Sequence, residues 1–458
     1  MRSSFRAGPR VGLRRLTAGV VSGGVLAATL VGVGVGTASA VPAPLAYEQY
    51  AYGASASVGG VVTAGPLFPT GISCTIQPGL VATNGGLVNI PGVISAAPTF
   101  QSATTAESGP NNNQVAVTRS TVASVNLLGG LVGLTGLGVT ATAVNTGSGV
   151  ATAGAVSLGA LTILGIPIPL GSIGPNTTIG IPLLGSITLN EQTVAVNGIR
   201  TIGAHIRILA GVNAGLDVIV GLTQSRFLNK PPVFMTGVAY SNLIAAGPVS
   251  VGPLVAQSVP CNGGTSTSNL VGINLPDIVT TGVITATGTA VLGNPTGGTS
   301  RLSVAGVNLL GGLITASAIT SQANAIKSPG SPPALSSTGT QFANLTVAGI
   351  PLGANIAPNT AVVLPGVGYV VLNRQVQTAS GLEVRAIEVV IQVGGVLPVG
   401  AVIRIGVASI NASDTGASPL SAPLDGHISE QLSAPYATQL CSTVGDTAKC
   451  DNIDPSTF

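Results

Sequence analysis

Four cysteines are the residues of this chain whose type and spacing most directly suggest chemistry. They are Cys74, Cys261, Cys441 and Cys450. A structural zinc site would need closer cysteine pairs and histidine partners, so disulfides are the expectation if the chain is exported. Four cysteines allow three pairings. We prefer Cys74 with Cys261 and Cys441 with Cys450; the alternative joins each of the first two to a cysteine of the tail.

The chain offers few groups for acid–base or nucleophilic catalysis. Its two histidines, His205 and His427, have no nearby Asp and Ser pattern that would form a triad, and no G-x-S-x-G elbow follows residue 40. Only 6% of the residues are charged, which leaves little from which to build an active site. We therefore predict no enzymatic activity, no catalytic, cofactor-binding or metal-binding residue, and no cofactor.

Residues 1–40 have the organisation of a secretory signal peptide. Five arginines occur in the first fifteen residues, an apolar Gly-rich stretch begins at Leu16, and an Ala-Ser-Ala triplet at residues 38–40 provides a cleavage site. An uncleaved membrane anchor is the alternative, because the apolar stretch approaches spanning length. The many glycines favour cleavage. We expect a secreted or extracellular protein, exported by either the general or the twin-arginine route.

The charge balance excludes one class of partner and gives no sign of an anchor. Without the leader the chain has 11 basic and 13 acidic residues, spread thinly. Nucleic-acid binding needs a clustered basic face, so we predict no nucleic-acid partner. The segment after Asp414 contains no apolar span and no sorting signal. We therefore expect no transmembrane anchor in the mature chain.

A tandem duplication organises the rest of the sequence. The segment VNLLGGL occurs at residues 125–131 and again at 307–313, and other landmarks recur in the same order at nearly the same spacing. Cys74 and Cys261 are one such pair of landmarks. The repeat predicts two domains, residues 41–230 and 231–413, followed by a tail at residues 414–458.

Strands, rather than helices, are predicted within each copy. Short runs rich in Val, Ile and Thr are bounded by Gly, Pro and Asn. In residues 202–208 the even positions are apolar, while His205 and Arg207 fall on the other face. Residues 382–393 change phase near Ala386, which indicates a bulge. We predict an all-β fold: two tandem duplicated β-sandwich or barrel-like domains after a signal peptide, with a short disulfide-containing C-terminal tail.

Three charged positions change character between the copies. When the segment LNEQ, at residues 189–192, is aligned with LNRQ, at residues 372–375, these positions are Glu191 with Arg374, Arg200 with Glu383, and His205 with Glu388. A catalytic acid or base needs its own chemistry at its position, so we interpret these residues as solvated side chains on strand faces. A second hypothesis is that the copies pack about a pseudo-two-fold axis. In that case Glu191 would face Arg374 and Arg200 would face Glu383.

The motifs resemble one family of exported proteins. The leader, the opening AYGASASVGG at residues 51–60, VNLLGGL, and the pair LNEQ and LNRQ together look like the choice-of-anchor P family of actinobacterial exported proteins. The resemblance covers most of the mature chain. It implies a surface or secreted role of undefined biochemistry, with no catalytic residues to carry over. The chain differs from the family in its tail, where no recognisable anchor occurs, and this favours release or non-covalent retention.

These observations favour a non-catalytic secreted or cell-envelope structural or adhesion module. Its partner would be a cell-envelope component or another surface protein. The alternative is a carrier or binding module with an apolar cavity for a lipid-like ligand, because low charge and abundant aliphatic residues suit such a hollow. The sequence leaves the ligand and the oligomeric state open.

Overall fold

Alternating apolar and polar residues produce strands along most of the described chain. The computed structural model describes residues 44–416 and 439–451, except 59–60, 86–87, 91–93, 97–99, 109–112, 147, 212, 242, 247–248, 252, 276, 396 and 445–446. Regular structure in this part consists of strands and two short 3₁₀ turns. The all-β prediction is therefore confirmed. The predicted signal peptide and His427 lie outside the described residues.

Among the described residues, the first half of the chain contains sixteen strands. They are β1 (Ala46–Val58), β2 (Val61–Leu67), β3 (Thr70–Thr75), β4 (Gly79–Gly85), β5 (Val88–Ile90), β6 (Ile94–Ala96), β7 (Phe100–Ser108), β8 (Gln114–Leu127), β9 (Val132–Asn145), β10 (Val150–Ser157), β11 (Ala160–Ile163), β12 (Ile166–Ile168), β13 (Thr177–Ile181), β14 (Gly185–Ala195), β15 (Gly198–Ile208) and β16 (Leu216–Leu228). Strands β1–β3 and β13–β16 form sheet A, and β4–β12 form sheet B. Sheet A faces sheet B, with β8 and β9 lying across β15 and β16.

The second half contains the remaining strands. They are β17 (Phe234–Tyr240), β18 (Leu243–Ala246), β19 (Val249–Val251), β20 (Ala256–Ser258), β21 (Gly264–Leu270), β22 (Ile273–Leu275), β23 (Val279–Thr281), β24 (Ile284–Val291), β25 (Thr296–Leu309), β26 (Ile314–Lys327), β27 (Ala334–Ser336), β28 (Gln341–Ala343), β29 (Thr346–Val347), β30 (Ile350–Pro351), β31 (Thr360–Leu364), β32 (Gly368–Gln377), β33 (Gly381–Ile391), β34 (Val402–Ser413), β35 (Gln439–Val444) and β36 (Thr447–Asp451). Strands β17–β20 and β31–β36 form sheet C, which faces sheet D, formed by β21–β30.

The two halves share a central strand order. Sheet A contains the run β14-β15-β16-β1, and sheet C contains β32-β33-β34-β17 in the corresponding places. Neighbouring described strands are antiparallel, except for the tail strand β35, which pairs in parallel with β31. The described residues belong to one compact unit. A domain boundary near residue 230 and a common origin of the halves stay predictions.

The recurring VNLLGGL segment forms the tight turn between two long strands. In the first copy it joins β8 to β9 through a 3₁₀ turn, Leu128–Gly130, and in the second it joins β25 to β26 through Leu310–Gly312. The second glycine of each turn has φ near +96°, and the first has φ of +68° or +65°. Glycine adopts these angles readily because it has no Cβ. The glycine pair is therefore a backbone requirement of the turn.

In sheet A the inward–outward alternation of side chains changes phase along a line that crosses β14, β15 and β16. We refer to such a line as a crease. Asn190 on β14 and Gly221 on β16 have positive φ, and Gly203 on β15 lies between them. A Cβ on Gly203 would lie 2.6 Å from Val139 Cγ2 of sheet B, so the sheets approach closely here. Beyond the crease the alternation is out of phase. Ile202 therefore lies on the outer face, away from sheet B.

Two details predicted from alternation need correction at these creases. Ala204, Ile206 and Ile208 pack in the core between the sheets, as predicted, but Ile202 packs with outer-face residues. In sheet C the phase change does occur at Ala386, where the ladder between β32, β33 and β34 is interrupted. The register continues unchanged on either side. The feature is therefore a crease without an inserted residue, and not a bulge.

One disulfide links equivalent positions of the two halves. Cys74 at the end of β3 is bonded to Cys261, which follows β20. Both residues are buried, together with Ala46 and Phe234. The described residues include no helix with the length and hydrophobicity needed to cross a bilayer.

Removing the Cys74–Cys261 bond should destabilise the protein strongly. The bond spans 187 residues. Closing so long a loop lowers the conformational entropy of the unfolded chain. We expect the double substitution Cys74→Ser and Cys261→Ser to lower the free energy of unfolding by about 2 to 5 kcal/mol, measured by denaturant titration. The matched control, Cys441→Ser with Cys450→Ser, removes the predicted bond between strands β35 and β36 at the edge of sheet C and should lower the free energy of unfolding by less, because these two cysteines are close in sequence. Equal unfolding midpoints for the native chain and the first variant would contradict this account.

Candidate functional site: two buried ionic clusters

The first ionic cluster lies on the outer face of sheet A and has a histidine at its centre. His205 on β15 is only 6% exposed. Its Nδ1 lies 2.7 Å from Glu191 Oε2 on β14, and its Nε2 lies 2.8 Å from Asp217 Oδ1 on β16. The three side chains come from neighbouring strands, although the register places Glu191 opposite Ile202 and Asp217 opposite Arg207, so neither carboxylate is directly opposite His205. The imidazole is thus held between two carboxylates.

Arg207 completes this first cluster. Its Nη2 lies 3.5 Å from Glu191 Oε2 and 2.9 Å from His205 Nδ1, and its Nε lies 3.8 Å from Asp217 Oδ2. Each ring nitrogen of His205 is therefore occupied by a charged neighbour, whichever tautomer the ring adopts. A general base must present a free nitrogen to a substrate proton. His205 is placed as a structural member of the cluster.

The same geometry does not suit a metal ion. Glu191 and Asp217 contact opposite nitrogens of the imidazole, so their oxygens do not converge on one point. Metal ligands must surround a single ion at about 2 Å. In the part of the chain that the structure describes, no group of three or more His, Cys, Asp or Glu residues is arranged to hold a metal.

The second ionic cluster lies on sheet C and has a glutamate at its centre. Glu388 on β33 is fully buried. Its Oε2 accepts hydrogen bonds from Arg385 Nη1 at 2.7 Å and from Arg404 Nε at 3.0 Å, and its Oε1 accepts one from Arg374. Arg385 also pairs with Glu383, at 2.5 Å between Nε and Oε1. Three guanidinium groups therefore neutralise and hold one buried carboxylate.

These contacts shift the pKa values of the buried groups. Burial alone would raise the pKa of Glu388, but the charges of Arg385, Arg374 and Arg404 outweigh it and hold that pKa below its ordinary value. Burial lowers the pKa of Arg374 despite the nearby Glu388 carboxylate. In Arg385 burial is opposed by Glu383 and Glu388, which raise the pKa above the ordinary value. The carboxylate of Glu388 is thus stabilised in its charged form.

A tyrosine lies beside each cluster and stays protonated. Tyr52 on β1 and Tyr240 on β17 are both buried. Burial raises the pKa of each phenol to about 12. Asp217 adds to the effect at Tyr52, while Glu383 adds to it at Tyr240. Neither hydroxyl is therefore activated as a nucleophile or base near neutral pH.

The two clusters are electrostatic inverses of each other. A histidine lies between carboxylates in the first, and a carboxylate lies between arginines in the second. His205 and Glu388 occupy equivalent positions when LNEQ is aligned with LNRQ, as do Glu191 and Arg374. Glu191 contacts His205 in the first cluster. Arg374 contacts Glu388 at the same two positions in the second cluster, although both residue types differ. Mutual neutralisation, rather than a particular acid or base, is the property common to both places.

The structure corrects two sequence-based interpretations of these residues. His205, Arg374 and Glu388 are buried and paired, and were predicted to be solvated. The hypothesis that Glu191 faces Arg374 and Arg200 faces Glu383 is also wrong. Each pairing that the structure shows stays within one half: Glu191 pairs with His205 and Arg207, Arg374 with Glu388, and Glu383 with Arg385.

The cysteines divide between the disulfide and the tail. Cys74 and Cys261 are bonded to each other. Cys441 and Cys450 lie directly opposite one another in the antiparallel ladder of β35 and β36. A bond between them stays a prediction.

Comparison with family models, curated proteins and solved structures finds no match for this chain.

Neutralising Glu388 should destabilise the fold. The substitution Glu388→Gln would leave three buried guanidinium groups without their shared carboxylate. We expect a loss of about 3 to 5 kcal/mol in the free energy of unfolding, measured by denaturant titration near neutral pH. The exposed Asp277, changed to Asn, is the control and should have little effect. Unchanged stability of the Glu388 variant would contradict the burial and pairing described above.

Lowering the pH should remove the stabilisation by the ionised Glu388 carboxylate in the native protein. The pKa of Glu388 is lower in the folded chain than in the unfolded chain, where it is about 4.3. Its ionisation therefore stabilises the fold above that pH, and this stabilisation is lost as the pH falls through the folded-state pKa. We expect the stability of Glu388→Gln to fall less steeply with acid than that of the native chain. Parallel stability curves between neutral and acid pH would disprove the assignment.

The contact between His205 and Glu191 should appear as a coupling energy. We expect a double-mutant cycle with Glu191→Gln and His205→Gln to give about 1 to 3 kcal/mol, because the contact is short and largely buried. A parallel cycle with Glu191→Gln and Arg207→Gln should give less, since the Arg207 side chain is 43% exposed. Additive losses in the first cycle would show that the contact does not stabilise the fold.

Proposed function

We propose that this chain is an exported, non-catalytic structural or adhesion module of the cell envelope or of the extracellular medium. The observation that supports this proposal is how the carboxylates are used. Among the described side chains, every carboxylate except Asp277 belongs to an ion pair. The paired ones are Glu48, Glu191, Asp217, Glu383, Glu388 and Asp414.

Carboxylates that belong to ion pairs suit a protein that acts through its shape and not through catalysis. An enzyme would need acid–base groups that face a substrate, with pKa values tuned to the reaction. Here the charged groups contact one another across neighbouring strands. The leader-like residues 1–40 and the resemblance to the choice-of-anchor P family support export, with a partner in the envelope or on another surface protein. The thin spread of charge supports the absence of nucleic-acid binding from this role.

The close approach of the sheets favours a structural role over a carrier. A lipid-sized cavity would have to separate sheets A and B. At the crease, a Cβ added to Gly203 or to Gly221 would lie 2.6 or 2.8 Å from a methyl group of Val139. The interior is filled at this place by side chains of the two sheets.

Cell fractionation with and without a high-salt wash tests the proposal. We expect the chain without residues 1–40 in the medium or in the envelope fraction. High salt should release little of the envelope-bound protein, because few charged side chains are free to bind a charged polymer. Recovery of the intact chain from the cytosol, with the leader still attached, would overturn the proposal.

A further inference from the structure

Three turns at one end of the first sandwich expose large aliphatic side chains. Leu183, between β13 and β14, is 96% exposed, and Leu209, after β15, is 75% exposed. Leu164, between β11 and β12, is 52% exposed, and Ile166, the first residue of β12, is 63% exposed. We refer to these four side chains as the apolar tip. They contribute little to the core, so their burial does not explain why the chain has them.

The register of the sheets places these turns at the same end of the sandwich. Gly221 of β16 lies against Val139 of β9, and Ser225 Oγ donates to the carbonyl of Ala141. Residue numbers therefore increase in the same direction along β9 and β16. The start of β9, beside the β11–β12 turn, lies at the same end as the start of β16.

Backbone hydrogen bonds fix each turn at this end. Leu164 N–H donates to the carbonyl of Leu131 at 2.8 Å, next to the start of β9. Leu209 N–H donates to the carbonyl of Leu184 at 2.7 Å, which joins the turn after β15 to the β13–β14 turn. The apolar tip is thus presented by turns that are held by the backbone.

The second half forms the same turns without these leucines. Ala348 N–H donates to Leu313 O at 2.8 Å, and Gln392 N–H donates to Val367 O at 2.8 Å, as Leu164 and Leu209 do in the first half. Ala348 therefore stands in the place of Leu164, and Gln392 in that of Leu209. The turn geometry does not require leucine at either position.

The backbone angle of Leu183 also indicates that its turn does not require leucine. Leu183 has φ of +60°, and Gly366 has φ of +72° at the corresponding place in the second half. Glycine adopts this region without steric cost, whereas a side chain is unfavourable there. Leu164 also has positive φ, at +55°, as does Ala348 in its place, at +48°. The first half thus presents leucine at two turn positions where the backbone conformation favours glycine.

The chemistry of the tip fits lipid better than protein. Residues 120–190, which build two of the three turns, contain no charged or aromatic residue and no Met, His or Cys. Beside the third turn, Arg207 and Asp217 are 43% and 39% exposed and form an ion pair, so the charges next to Leu209 are of opposite sign. Dominant contacts between proteins are enriched in Trp, Tyr and Arg, and leucine is under-represented among them. Protruding aliphatic side chains can enter fluid hydrocarbon without a complementary pocket and without desolvating a charge.

We propose that the apolar tip docks onto a lipid bilayer surface, with Leu164, Ile166, Leu183 and Leu209 entering the outer acyl region. Because the tip is uncharged, its binding needs no anionic lipid. This proposal adds a partner to the envelope role and rests on that role only for where the lipid is encountered. Vesicle binding by purified protein can fail while the fractionation result holds, so the two proposals are tested separately.

Flotation of the purified chain without residues 1–40, the form expected after export, with phosphatidylcholine vesicles tests the docking. The variant Leu164→Ala, Leu183→Gly, Leu209→Gln carries the residues of the second half at these turns and is expected to fold. We expect the native chain to float with the vesicles, and the variant to bind at least about tenfold more weakly. Equal unfolding midpoints and circular dichroism spectra would show that the fold is retained.

A matched control uses exposed apolar residues at the other end of the same sandwich. Val194 and Val196 lie at the β14–β15 turn and are also highly exposed. The variant Val194→Ala, Val196→Ala should bind vesicles like the native chain. Equal losses in both variants, or no vesicle binding by the native chain, would overturn the proposal. Self-association that requires the three leucines, without vesicle binding, would assign the tip to a second copy of the chain and also overturn it.

Discussion

Neutralisation of buried charge is the constraint on which the arrangement of the outer strand faces depends. A charged group removed from water is costly unless an opposite charge and hydrogen bonds replace its hydration. In sheet C this requirement gathers three arginines around Glu388, and in sheet A it places His205 between two carboxylates. Apart from Arg200, the charged residues of the central strands thus contact one another.

The creases determine which residues lie on the outer face, where the buried charges are paired. A strand normally alternates its side chains between faces. At Gly203 and at Ala386 the alternation changes phase, between positive-φ residues on both neighbouring strands. The core residues on either side can then all face the opposite sheet, while the charged residues gather on the outer face. Close packing and charge pairing are therefore set by the same backbone feature.

Much of the fold was predictable from the sequence, because alternation and turn residues are local signals. The strands, and the faces occupied by His205 and Arg207, follow from period-2 patterns. The outer-face position of Ile202 could not be predicted from this pattern. Its cause is the positive φ of Asn190 and Gly221 on the neighbouring strands, which does not show in the sequence of β15. The burial of Glu388 was missed for a related reason. Alternation shows which face a residue occupies, but not whether that face is covered.

One overlooked signal could have indicated the clusters. Glu191 and His205 have the same separation along the chain as Arg374 and Glu388. In each half the two positions are complementary, although both change type between the halves. Such a concerted change indicates contact within each half. Considering each position separately suggested only that its charge was unimportant.

Carboxyl carbon NMR of Glu388, in protein labelled at glutamate and assigned with the Glu388→Gln variant, tests the account most directly. If three arginines hold a buried carboxylate, its signal should stay at the ionised position as the pH falls through about 4.3, while the protein remains folded. A signal that titrates at or above the ordinary glutamate pKa would contradict the account. It would show that the carboxylate is not stabilised by the surrounding guanidinium groups.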